Sequence, residues 1–180
     1  MTRERAKLGM AMFILSESVF FFMLTLAFVY FRAESVQTAA ASLNPKLTAI
    51  YTACLLASSF TMWRATMSAR REHQRIRLWL GITIGLGLVF LLGQGNEYRK
   101  LFRSGITISQ GLFGTTFFTL TGIHGLHVVA GILLLAIMFG ITHRRSKRES
   151  IAVETVAMYW HFVDAAWMVI FSVVYLWSFV

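Results

Sequence analysis

The stretch LFGTTFFTLTGIHGLHVVAGILLLAIMFGI, residues 112–141, reads as one long apolar helix that carries two histidines, His124 and His127, one turn apart. A later apolar stretch repeats the arrangement with His161 and Asp164. The i,i+3 spacing puts each pair on one helix face, so their polar atoms can turn inward together. In a soluble core such pairs are unusual. In a bilayer they need a reason, because a charge at the membrane centre costs roughly 2.5–3.5 kcal/mol even on lenient insertion scales.

The whole chain has the composition of a membrane protein. Of its 180 residues 57% are hydrophobic and only 14% charged, with a mean hydropathy of +0.64. Soluble domains carry about 25% charged residues. A single cysteine, Cys54, excludes an intrachain disulfide and a cysteine-built metal site. The net charge of +9 does not point to nucleic acid, since the basic residues fall in short runs between apolar blocks.

Working outward, the sequence predicts an all-α, polytopic bundle forming a single transmembrane domain, 1–180, with five spans at about 8–31, 47–67, 78–98, 112–141 and 155–180. Each has about 20 residues or more, enough to cross about 30 Å of hydrocarbon. Pro45 follows Asn44 in the first loop, where it can stop one helix and start the next. Lys and Arg set the orientation. Arg3, Arg5, Lys7, Arg64, Arg70, Arg71, Arg75, Arg77, Arg144, Arg145, Lys147 and Arg148 lie on one side, against Arg32, Lys46, Arg99, Lys100 and Arg103 on the other. The positive-inside rule then puts the N-terminus in the cytoplasm and the C-terminus outside. Ala39-Ala40-Ala41 offers a small-residue cleavage site, but the preceding apolar stretch is about twice a normal signal-peptide core and carries Glu17 near its middle. The first span is therefore expected to be retained.

At about 1.5 Å per residue, Glu17, His124, His127, His161 and Asp164 fall into one layer in the cytoplasmic half of the bilayer. Glu154 sits just below, two turns before His161 and on the same face, while Gln94 and Glu97 belong to the opposite side. Three readings stay open for this layer. It is a polar knot tying helices together at about 0.6 kcal/mol per contact, a proton relay or lipid-headgroup site, or a metal or haem site. The last has poor support, since a helix face favours i,i+4 for two metal ligands and no cysteine cluster accompanies the histidines. Gly81 with Gly85, Gly111 with Gly114 and Gly122 with Gly125 read as close-packing pairs. Trp63, Trp79, Trp160, Trp167 and Trp177 read as interface belt and packing. The basic stretches 70–77 and 144–148 read as solvated cytoplasmic faces that attract anionic lipid.

Several blocks taken together carry a family resemblance. FILSESVFF at 13–21 surrounds Glu17; LLASSFTMW occupies 55–63; QGNEY at 94–98 keeps a Gln-x-x-Glu-Tyr step. TISQGLFGTTFF at 107–118 leads into GIHGLHV at 122–128, and YWHFVDAAW follows at 159–167. In this order, almost end to end, they resemble subunit III of the haem-copper oxidases, closest to the cytochrome c oxidase form. The resemblance implies a non-redox accessory subunit in the cell's inner (plasma) membrane, serving aerobic respiration. It would carry no haem or copper, which belong to its partner subunits. It would pack on catalytic subunit I, alongside subunit II and other oxidase subunits, hold phospholipid in a cleft, and support proton uptake and stability during turnover. Glu17 corresponds to the family's membrane-buried carboxylate; His124, His127, Glu154, His161 and Asp164 correspond to the polar positions of the last two helices. The full-length family has seven spans, and this chain begins where the third would be. The pair missing here forms one wall of the lipid cleft, and is either absent or supplied by another chain. Gln110 stands where many relatives are acidic, and Tyr51 where the family often has Asn. The alternatives are subunit III of a quinol oxidase or a nitric-oxide-reductase-associated relative, and an independent proton-coupled transporter. A transporter of that kind should show internal repeats and helices broken at midplane by Gly or Pro, which the sequence lacks.

Overall fold

The computed structural model describes residues 3–31, 45–71, 75–108, 111–142 and 147–176, all helix, turn or short connection, with no strand among them. Five long helices follow in order: α1 (Arg3–Phe31), α2 (Pro45–Arg71), α3 (Ile76–Arg103), α4 (Leu112–Ile141) and α5 (Lys147–Phe171), the last running into a π-helical turn, Ser172–Leu176. Gln110, positions 143–146 and the last four residues, Trp177 among them, lie outside the described residues.

Helix α4 has the bounds its sequence predicts. It starts after Gly111, whose φ of 132° is a backbone conformation that a β-carbon disfavours. Pro45 is the first residue of α2 rather than a loop residue. At N1 its missing N–H costs nothing and its fixed φ suits the helix. Helix α3 stops at a left-handed Gly105 (φ 80°), with Ile106 N donating back to Leu101 O at 3.0 Å. Helix α5 begins at Lys147, eight residues before the predicted 155. Its first turns hold charged side chains, including Glu154, whose carboxylate is paired with Lys7 across the bundle. An apolar run does not mark these charged turns, which extend the helix beyond it.

Among the described residues, four stretches are long and apolar enough to cross a membrane: Glu4–Phe31, Ile76–Arg103, Gly114–Ile141 and Glu149–Leu176. Helix α2 is the exception. Its polarity has a structural reason, because its hydroxyls are spent on its neighbours. Thr48, Thr52, Leu55, Ser58, Thr61, Met62, Ala65 and Ala69 are buried along one stripe. From that stripe Thr52 accepts from Trp167 Nε1 at 3.0 Å, Ser58 accepts from Trp160 Nε1 at 3.0 Å, and Thr61 bonds Thr83 at 2.8 Å.

Helices α2, α3, α4 and α5 form a closed ring in which each packs on the next, and α1 lies against α4 and α5. Trp160 of α5 fills the centre of the ring. Its indole lies where β-carbons on Gly87 of α3 and Gly131 of α4 would come within 2.9 Å and 2.8 Å. The expected Gly81–Gly85 step does not pack this way, since Gly85 faces nothing within 4 Å and Gly81 makes only an ordinary 3.7 Å contact. Gly122 and Gly125 also make ordinary contacts, whereas Gly114 abuts the Thr107 carbonyl and Gly93 abuts the Tyr51 ring. Trp160 and Trp167 are thus core residues, not interface belt.

Candidate functional site

Helix α1 joins the bundle through two polar contacts. Lys7 Nζ lies 2.9 Å from Glu154 of α5, near its cytoplasm-predicted end. Ten residues on, Glu17 Oε2 lies 3.2 Å from His127 Nε2 of α4. Both members of the second pair are mostly buried, with side chains 21% and 18% exposed. His127 Nδ1 lies 2.9 Å from the Ile123 carbonyl. A carbonyl only accepts, so Nδ1 carries a hydrogen. Nε2 is thereby the ring nitrogen turned to the Glu17 carboxyl. Tyr159 of α5 donates its hydroxyl to the His127 carbonyl at 3.0 Å, so three helices meet at this residue.

This geometry fixes what substitution should do. Glu17→Gln presents an amide N–H to His127 Nε2 and keeps the shape, so a folded chain with near-parental thermal stability is expected. Glu17→Leu strands the imidazole and should cost about 0.6–1.7 kcal/mol, the range measured for polar contacts between membrane helices. Midpoints of thermal denaturation in detergent check both; equal stability of the two variants and the parent would mean that the pair holds nothing.

The predicted single layer is divided. His124, one turn before His127, is fully buried, and neither of its ring nitrogens has a hydrogen-bond partner among the described residues. It stacks on Trp167 at 4.9 Å between centroids and meets the edges of Phe90 and Phe21. Phe21 also packs on His127 and on Phe162 of α5. His161 and Asp164 belong instead to the α2–α5 contact. Ser59 of α2 donates its hydroxyl to Asp164 Oδ2, and its oxygen lies 3.0 Å from His161 Nδ1. Glu154, expected to face the way His161 does, is turned to α1.

Gln94 and Glu97 stand apart from these groups. Gln94 Nε2 donates to the Thr121 carbonyl at 2.7 Å, and Tyr98 Oη bonds Thr121 Oγ1 at 2.7 Å. Glu97 accepts from Tyr175 Oη at 2.6 Å and from Thr48 Oγ1 at 3.1 Å. The π-helical turn at the end of α5 presents Tyr175 to it. Sequence reasoning missed Lys7, Ser59, Thr48 and Tyr175. The repeat of Thr and Ser along one stripe of α2 is the signal that would have found two of them. No group of three His, Cys, Asp or Glu side chains placed to hold a metal ion occurs among the described residues. Arg77, in the stretch expected to be solvated, is exposed with its guanidinium over the Phe139 ring at 4.7 Å, and the exposed Arg64 lies over Trp79 at 5.1 Å.

A family model described as cytochrome c oxidase subunit III matches residues 1–179. The chain belongs to the cytochrome c oxidase subunit III family. It is 39% identical over 127 residues to the probable cytochrome c oxidase subunit 3 of Mycobacterium leprae, covering 69% of this chain and 63% of that one. It is 35% identical over 177 residues to the Synechocystis cytochrome c oxidase subunit 3, covering 93% and 74%. With the human cytochrome c oxidase subunit 3 it shares 38% over 183 residues, covering 94% and 69%. The chain thus spans about two thirds to three quarters of the length of these subunit III relatives.

Proposed function

We propose that this chain is a non-redox accessory subunit III of a proton-pumping haem-copper terminal oxidase of the cytochrome c type. As a single domain it crosses the cell's inner membrane five times, with α2 the most polar span, its N-terminus in the cytoplasm and its C-terminus outside. It packs on the catalytic subunit I beside subunit II, binds phospholipid, and supports proton uptake and the stability of the turning-over enzyme. Haem and copper belong to the partner subunits, and this chain contributes no redox group.

One observation carries the reading: the family blocks, far apart in sequence, are bonded to one another. The 13–21 block meets the 122–128 block through Glu17 and His127. The 55–63 block meets the 159–167 block through Ser59 with His161 and Asp164, and through Ser58 with Trp160. The blocks that define the family are therefore the ones that hold this bundle together. Support for a membrane setting comes from α1, whose Leu8, Met12, Leu15, Val19, Phe22, Met23 and Leu26 are exposed on a helix that water would not tolerate bare.

An affinity-tagged chain extracted in mild detergent should bring down haem-bearing subunits in a fixed ratio. Recovery of the chain alone, without haem absorbance in the fraction, would favour an independent transporter. For orientation, a cysteine introduced at position 72 or 146 in a Cys54→Ser background should react with an impermeant maleimide from the cytoplasmic side only. Reaction from the outside would reverse the topology.

A further inference from the structure

The outward face of α5 is a shallow valley between α1 and α2. Its floor carries His161, Ala165, Met168, Ser172 and Leu176 at successive turns, all partly or well exposed. Exposed Leu56, Phe60 and Trp63 of α2 flank it on one side. Phe22 and Thr25 of α1 flank it on the other, in a groove of about 390 Å³ against Ala165 and Val169. Ser172 and Thr25 bond carbonyls of their own helices, and His161 stands near the middle, twelve residues from one end of its span and fifteen from the other.

The hydrogen bonds at Ser59 fix what His161 has left to offer. The Ser59 hydroxyl has one hydrogen, and it goes to Asp164 Oδ2. His161 Nδ1 must then donate to Ser59 Oγ, which leaves Nε2 of the neutral ring as an acceptor. Nε2 has no hydrogen-bond partner among the described residues. Lipid tails offer no donor, and water is absent from the hydrocarbon layer. Among the described residues no other helix covers the site, because α1 lies on the α4 side of α5 and α2 already supplies Ser59. Ala165 and Ser172, one turn and three turns beyond His161, are small enough to let another backbone approach closely.

We infer that the α1–α2 valley over α5 is the seat of a transmembrane helix from a different subunit, one that presents a hydrogen-bond-donating side chain to His161 at mid-membrane depth. This rests on the subunit reading above and adds the surface through which a neighbour is held. It also gives Asp164 and Ser59 a role as positioning residues that fix the histidine tautomer toward that neighbour.

The test uses the full chain in its native membrane, with a photo-crosslinking phenylalanine analogue in place of Phe60 and, as a control, in place of the exposed Leu133 of α4. The valley position should give an adduct with a polypeptide other than this chain, and His161→Leu should weaken that adduct and the chain's retention in the complex by about three- to tenfold. In the isolated chain in lipid nanodiscs, His161→Leu should lower the thermal midpoint no more than Ser59→Ala does, because there it loses only its bond to Ser59. An equal loss of stability with and without partners would make His161 an internal structural residue and overturn the proposal. Adducts with lipid alone, adducts with a second copy of this chain, or an adduct indifferent to His161→Leu would also overturn it. Haem-bearing subunits that still accompany the parent chain would leave the subunit reading standing in each of those cases.

Discussion

Trp160→Ala is expected to destabilise the bundle by about 3–5 kcal/mol, the range for emptying an aromatic site in a packed core. The indole is fully buried where all four ring helices meet. Two glycines leave room for its edges, and its N–H is taken by Ser58 Oγ. Alanine leaves a cavity bounded by three helices and takes the donor from Ser58 Oγ on the fourth, whose own hydrogen stays on the Leu55 carbonyl. Trp160→Phe, which keeps most of the volume, should cost less, the difference being the lost hydrogen bond and the smaller ring. The socket can also be attacked from the other side. Gly131→Ala puts a β-carbon 2.8 Å from a rigid ring and should cost about 1–3 kcal/mol, whereas Gly85→Ala, facing open space, should be close to neutral. Denaturation midpoints of the four variants in one detergent give the order directly. A Gly131→Ala variant as stable as Gly85→Ala would show that the ring is packed more loosely than this.

The glycines illustrate where the sequence could and could not be read. Gly81 and Gly85 have the familiar spacing but face little, while Gly87 and Gly131, in different helices, make one socket. Spacing within a helix is legible; a pocket shared by two helices and filled by a third is not. Helix α4 was bounded correctly because an uninterrupted apolar run needs no partner to define it. Helix α5 starts eight residues before the span predicted at 155, because an apolar run does not mark the charged turns from Lys147 to Glu154 that extend the helix beyond it. The histidine pairs show the same limit at finer scale. Residues i and i+3 share a face but diverge by about 60° around the axis. That divergence turns His127 to α1 and His124 into an aromatic cage, so one predicted layer became separate sites. Helix α2 looked like an ordinary span, and its stripe of hydroxyls acquired meaning only with the tryptophans and the histidine that it serves.

Stripping this chain from the oxidase complex is expected to leave oxygen reduction intact at the first turnover and to shorten the working life of the enzyme severalfold. The chain offers no redox group in the proposed reading, so electrons still reach oxygen without it. On that reading, what is lost is a lipid-bracing wall and a proton-supplying neighbour. Basic residues on its cytoplasm-predicted side attract anionic lipid at about 1 kcal/mol per charge near the surface. The Glu17–His127 contact lies above them. Slower proton delivery matters least when protons are plentiful, so the initial rate of the stripped complex should approach the parent's in acid and fall away more steeply as pH rises. The decisive measurement is oxygen consumption by parent and stripped complexes from the first cycle to inactivation, across a pH series. The account predicts matching initial rates at acidic pH, a steeper decline with rising pH, and earlier inactivation. Turnover absent from the first cycle at every pH would put the chain in the electron path, and an unchanged lifetime and pH profile would remove its role in proton uptake and endurance altogether.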